Sequence, residues 1–144
     1  MVICADTSFL FALYGNDVHT PKALAWSQSS TTAISLSELA DYELGNALRF
    51  AEFRKVLAPG QAATFLAQYE ADRDGGRIVL EICNLARVVA KAKRLSITHT
   101  LTEGHRGFDI LHVASAVLLG AKEFLTFDGN QKKLAEAEGM VIPV

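Results

Sequence analysis

Cysteine is scarce in this chain. There are two in 144 residues, Cys4 and Cys83, far apart and in no Cys-x-x-Cys pair. That excludes a disulfide framework and a cysteine-based zinc site. Cys4 lies in the apolar run Val2-Ile3-Cys4-Ala5 and reads as a buried, inert thiol. An excess of either charge is missing too. Fourteen Lys and Arg face 16 Asp and Glu, giving a net charge of -2. That argues against a polybasic binder that grips nucleic acid by neutralising many phosphates, but not against an enzyme that handles nucleic acid locally. No cationic leader opens the chain, because Asp6 interrupts the first apolar run almost at once. The longest nearly apolar stretch, Ile110 to Ala121, contains His112 and is too short to span a bilayer. No membrane association is expected, and the protein is expected in the cytoplasm. Repeats and low-complexity tracts are absent.

Half of the residues are hydrophobic. A chain of this length buries roughly 68–70% of its unfolded surface, so a core forms without staples. One domain over residues 1–144 is expected. Short apolar runs alternate with longer helical patterns. Strands are expected at Val2–Ala5, Thr32–Ser35, Arg77–Ile82, Glu123–Phe127 and Met140–Ile142. Helices are expected at Thr7–Tyr14, Pro21–Ser29 (Thr20 as cap), Leu36–Arg54, Ala62–Asp72, Leu85–Leu95, Asp109–Leu119 and Gln131–Glu138. This alternation predicts an α/β fold, a mainly parallel sheet with helices on both faces. Ligands of such sheets sit outside the carboxyl ends of the strands.

Asp6 and Asp128 follow apolar strands at that edge, and Asp109 opens a helix. Each alone is also an ordinary helix cap. Glu43 is harder to dismiss. Leu36, Leu39, Ala40, Leu44, Ala47, Leu48 and Ala51 fall on one face at a period of about 3.6 residues, and Glu43 falls on it too. A carboxylate in a core-facing stripe is costly unless paired or bound to a metal. The alternative is an ion pair, with Arg49 the nearest choice, although Arg49 lies off that face. Glu38 is accounted for by a capping box with Ser35, and Asp41 and Glu52 read as solvated. If Asp6, Glu43, Asp109 and Asp128 converge, their repulsion calls for a cation, and oxygen donors suit Mg²⁺ or Mn²⁺. Such a centre serves phosphodiester hydrolysis.

These fragments resemble the PIN-domain ribonucleases, and among them the VapC-type toxins of type II toxin–antitoxin systems. Val2-Ile3-Cys4-Ala5-Asp6-Thr7-Ser8 is similar to that family's first strand and acidic turn. Ala33-Ile34-Ser35 with Tyr42-Glu43-Leu44-Gly45-Asn46-Ala47-Leu48-Arg49 is similar to its strand and Glu-bearing helix. Phe108-Asp109-Ile110-Leu111-His112-Val113-Ala114-Ser115-Ala116 and Leu125-Thr126-Phe127-Asp128 are similar to its third and fourth acidic motifs. Residues 57–104 carry no matching motif. The resemblance implies a three-layer α/β/α fold with a sheet of five strands. It implies Mg²⁺- or Mn²⁺-dependent endoribonuclease activity, usually in a homodimer, with a small antitoxin as partner. It implies an acidic site of Asp6, Glu43, Asp109 and Asp128, supported by the hydroxyls of Thr7, Ser8 and Thr126, for which ordinary turn bonding is the alternative.

Arg106, in a Gly-flanked loop before Asp109, is a candidate phosphate contact. His112, on the side of the helix that carries Asp109, is a candidate substrate contact or a satisfied core histidine. Arg87, Lys91 and Arg94 read as a solvated basic face, His99 and His105 lack ligand spacing, and Trp26, Phe50, Phe53 and Phe65 read as core or dimer contacts. Two other classes compete: a non-catalytic interaction module on the same fold, and an Asp-phosphorylated receiver-like domain. The receiver needs paired acids after the first strand and a Lys after a later one; here Asp6 stands alone and Lys122 precedes its strand.

Overall fold

The computed structural model describes residues 1–144. The apolar runs form short parallel strands. They are β1 (Ile3–Ala5), β2 (Ile34–Ser37), β3 (Ile78–Glu81) and β4 (Glu123–Leu125), in the order β3-β2-β1-β4. Between them come α1 (Thr7–Tyr14), α2 (Thr20–Ser29), α3 (Glu38–Phe53) and α4 (Gln61–Asp74), then α5 (Leu85–Leu95), a π-helical turn (Ser96–Thr100), one-turn α6 (Leu101–Glu103) and α7 (Gly107–Leu118). Last is α8 (Gly129–Ala137).

Side chains alternate across the pleat, and that divides the core in two. Ile3, Ile34 and Ile78 lie in register in one row and, with Ala5, Leu36 and Leu125, pack under α1 to α4. Cys4 and Phe124, also in register, face α5, α7 and α8 through Val88, Val113 and Leu134. The result is the expected three-layer α/β/α arrangement. Burial pushes the Cys4 thiol up to about 12, so it is inert as expected. Gly15 lets α1 close on α3, since a Cβ there would meet Phe11 O at 2.6 Å and Leu48 Cδ2 at 3.2 Å.

Several local expectations are corrected. The sheet has four strands, not five, and Met140–Ile142 contributes a single bridge from Val141 to Glu123. The Met140 N–H is still spent on α8, bonding Ala135 O, and Pro143 has no N–H with which to extend a ladder. β2 is shifted two residues along, so Ser37 caps α3 by accepting the Ala40 N–H. Ser35 lies within β2, and the Ser35–Glu38 capping box does not form. Helix α2 begins at Thr20, with Pro21 in its second position. The Thr20 hydroxyl donates to Ala12 O instead of capping. Phe50 and Phe53 are exposed, stacked on each other at 6.0 Å, whereas Trp26 and Phe65 pack against the core. No helix is long and apolar enough to cross a membrane.

Candidate active site

From β1 the chain moves outward to β2 and β3, then returns to place β4 on the other side of β1. The crevice between the carboxyl ends of β1 and β4 is therefore the point where the strand order reverses, the usual ligand position in such sheets. Three helix N-termini meet there, each bearing one acid. Asp6 caps α1, Asp128 caps α8, and Asp109 lies in the first turn of α7. For Asp6 and Asp128, the capping position is also the one that places the carboxylate at this crevice. Asp109 caps nothing, because α7 starts at Gly107 with Arg106 before it. Each helix dipole favours the ionised acid at its N-terminus.

Asp6 is fully buried. Its Oδ1 accepts from Ser8 Oγ (2.7 Å) and Phe9 N (3.1 Å), and its Oδ2 accepts from Thr126 Oγ1 (2.6 Å). Burial pushes its pKa up, and these three donors pull it part of the way back. The same hydroxyls stitch the β4 end to β1. Phe127 N donates to Ser8 Oγ (2.9 Å) and Asp128 N to Thr126 Oγ1 (3.0 Å). Ser8 and Thr126 thus hold both strand ends around the Asp6 carboxylate.

Glu43 sits at the edge of the α3 stripe, beside buried Ala40, Leu44 and Leu48, with its side chain 29% exposed. Its Oε1 accepts from Thr7 Oγ1 and lies 3.1 Å from Nε2 of His112. It therefore bridges α1, α3 and α7. Burial alone would raise its pKa; the bonds to His112 and Thr7 more than reverse that, so it lies low. Arg49 is not its partner: that guanidinium folds back over Gly45. His112 is buried, with Nδ1 unpartnered. It is a core histidine held by Glu43 through Nε2 alone, so it is not the fully satisfied one of the sequence reading.

Burial and the neighbouring Asp128 push the Asp109 pKa up; Glu43 adds to this, while His112 and Arg106 pull back. Arg106 is exposed and near enough to act on Asp109 by charge, but caps no helix. Gln131 was not singled out from the sequence. It is buried, its Nε2 donates to Asp109 Oδ1 at 3.1 Å, and its Oε1 has no partner. The available signal was a polar residue in the apolar α8 stripe with Leu134 and Ala135, the same signal that exposed Glu43. Lys122 precedes β4, on the opposite edge from the acids, where a receiver-type lysine has no use. His99 and His105 lie apart from this site, among Glu103, Glu138 and Lys91.

As the side chains stand, no three acids, histidines or cysteines converge closely enough to hold an ion. The donor chemistry nevertheless fits a hard divalent cation. Oxygen donors dominate, sulfur is absent, and Glu43, Asp109 and Asp128 each keep one carboxylate oxygen free of hydrogen bonds. The mutual repulsion that lifts Asp109 is what a cation relieves.

The sequence profile of the PIN domain matches residues 3–137. Among solved structures, the chain resembles VapC20 of Mycobacterium tuberculosis, described as a sarcin–ricin loop cleaving toxin. The TM-score is 0.70 at 21% identity, over 96% of each chain. It also resembles PAE2754 of Pyrobaculum aerophilum (TM-score 0.61, 20% identity, 99% of this chain and 83% of that one). A third likeness is FitAcB of Neisseria gonorrhoeae (TM-score 0.61, 18% identity, 94% of each chain). No curated protein matches the chain in sequence.

Proposed function

The chain belongs to the PIN-domain family, and on that premise we propose that it is an Mg²⁺- or Mn²⁺-dependent endoribonuclease, the toxin of a toxin–antitoxin pair. The observation that carries this is the placing of Asp6, Asp109 and Asp128 at three helix N-termini around the β1/β4 crevice, with the Asp109 pKa raised by burial and then by Asp128 and Glu43. Glu43, Asp109 and Asp128, each with a free carboxylate oxygen, are together with buried Asp6 the residues that would hold the cation. When bound, such an ion offsets the carboxylate charge and lowers the pKa of water at the phosphodiester.

The remaining work falls to the chain's own side chains. Ser8 and Thr126 fix the Asp6 carboxylate, Gln131 fixes Asp109, and Thr7 with His112 fixes Glu43. The free carboxylate oxygens accept the proton shed by the attacking water. Arg106, at the rim, faces the incoming strand and offers charge to a phosphate. Hydrolysis adds one water across a P–O bond, leaving a phosphate monoester on one fragment and a hydroxyl on the other. A second copy of the chain and a small antitoxin that blocks the acidic groove are the partners this reading carries, in the cytoplasm and within a single domain.

The test is incubation of the purified protein with single-stranded RNA and Mn²⁺ or Mg²⁺, beside Asp6→Asn. Cleavage that disappears in EDTA and in the variant is expected, with growth arrest on expression of wild type alone. Undiminished cleavage in excess EDTA, or equal cleavage by Asp6→Asn, overturns the proposal. A non-catalytic module of the same fold would show neither cleavage nor thermal stabilisation by Mg²⁺ or Mn²⁺.

A further inference from the structure

Beside the acidic crevice lies a cavity of about 320 Å³, at the small end of the range for ligand sites. It shares Thr7 and Asp128 with the acidic site and is walled by Phe11, Asp17, His19 and Phe127. Three rings form one ladder, and two of them, Phe127 and His19, lie in the cavity wall. Phe9, buried in the core, stacks on Phe127 at 5.7 Å and 24° between planes, and Phe127 stacks on His19 at 4.5 Å and 6°. The ladder ends in an exposed imidazole. The segment that carries it is pinned. His19 N donates to Asp17 Oδ1 (2.8 Å), Asp17 N donates to Thr20 Oγ1 (3.0 Å), and Thr20 Oγ1 donates to Ala12 O (2.7 Å). No side chain hydrogen bond explains the position of the His19 ring; ring stacking does.

We infer that this cavity receives one unpaired nucleobase of the RNA strand being cut, stacked on the open face of His19, which Phe127 backs. The inference rests on the nuclease reading above. Unpaired bases are held by aromatic side chains because every base offers a π-face. A phosphate does not suit the cavity. Its lining holds no Lys or Arg but two carboxylates, Asp17 and Asp128, which repel an anion and leave an uncharged planar ring as the occupant. The shared residues Thr7 and Asp128 put that base within the nucleotides flanking the reacting phosphodiester. The rigid ladder and pinned turn lower the ordering cost of binding. His19 is therefore a substrate-positioning residue, and the site favours a strand whose bases are splayed out over a paired helix.

The test is steady-state cleavage of a single-stranded RNA in Mn²⁺ by wild type, His19→Ala and His19→Trp. Stacking of one base predicts a loss of about 5- to 150-fold in kcat/KM for His19→Ala, carried by KM, with kcat little changed. His19→Trp restores it. Abasic substitution, scanned across the nucleotides flanking the cut, produces the same loss in wild type at one position. At that position His19→Ala adds nothing further. The proposal is overturned if His19→Ala matches wild type in kcat/KM, if its loss lies wholly in kcat, or if no abasic position reproduces it. In those cases wild type still cleaves, so the nuclease reading survives. If wild type cleaves no RNA in either metal, the nuclease reading fails and the base site falls with it.

Discussion

Thr126→Val removes one hydroxyl and keeps the shape of a side chain that is 2% exposed. Two bonds go with it: the 2.6 Å donation to Asp6 Oδ2, and the acceptor of the Asp128 N–H at 3.0 Å. A hydrogen bond to a charged group is worth about 1.5–3 kcal/mol, and an ordinary one about 1. The expected loss near neutral pH is therefore about 3 kcal/mol. Unfolding entropy of about 2.1 cal/mol/K per residue makes this a fall of roughly 10 °C in Tm for a chain this long. The pH dependence isolates the cause. The Asp6 pKa is raised in the folded protein by burial. Its ionisation therefore opposes folding: that cost is absent below the unfolded value of about 3.9 and grows as pH rises through the folded value. Thr126 offsets part of that cost only while Asp6 is ionised. The gap between wild type and Thr126→Val should be about 1 kcal/mol where Asp6 is protonated and widen as pH rises through its raised folded value. Guanidinium unfolding in chelator, repeated across that range, measures it. A gap that does not widen as pH rises, or one that stays under about 1 kcal/mol throughout, refutes the role given to Thr126.

Other outcomes follow from the same geometry. Mg²⁺ or Mn²⁺ at a hundred times its Kd should stabilise wild type by about 2.7 kcal/mol. Asp109→Asn should lose most of that rise in a thermal melt, and also the metal-free decline in stability that its raised carboxyl causes as pH climbs from the acid range. Glu43, held low by His112 and Thr7, contributes stability above its unfolded value of about 4.3 that is lost as pH falls through its folded one. Glu43→Gln should accordingly cost roughly 1–2 kcal/mol at pH 6 and little in strong acid, read by unfolding at both pH values. Phe124→Ala empties a wholly buried site between the sheet and α7/α8 and should cost about 3–5 kcal/mol, measured by chemical denaturation.

Asp6 and Asp128 were legible because each follows an apolar run that is short enough to be a strand, and the sheet rule then puts both at one edge. Glu43 was legible because helical period makes a misplaced charge visible. Gln131 carries the same mark on α8, but a neutral amide stands out less than a carboxylate. The bond from Thr126 to Asp6 and the stacking of His19 on Phe127 join residues more than a hundred positions apart, and no local pattern encodes them. Strand register failed where composition is ambiguous. Thr32–Ser35 and Ile34–Ser37 are equally good β sequences, and only pairing with Ile78–Glu81 decides between them. Met140–Ile142 is apolar enough for a strand, yet only Val141 pairs with the sheet, through Lys122 O and the Phe124 N–H, because the Met140 N–H is spent on ending α8.

The β1–β4 pairing that stitches Thr126 to Asp6 also has a meaning in time. During synthesis, a growing chain that has not yet reached residue 126 lacks the donor for Asp6 Oδ2 and the fourth acid altogether. A nascent chain therefore has no assembled acidic crevice until Asp128 has emerged. On the nuclease reading, the order of the strands alone thus withholds the acidic crevice until the last acid is in place.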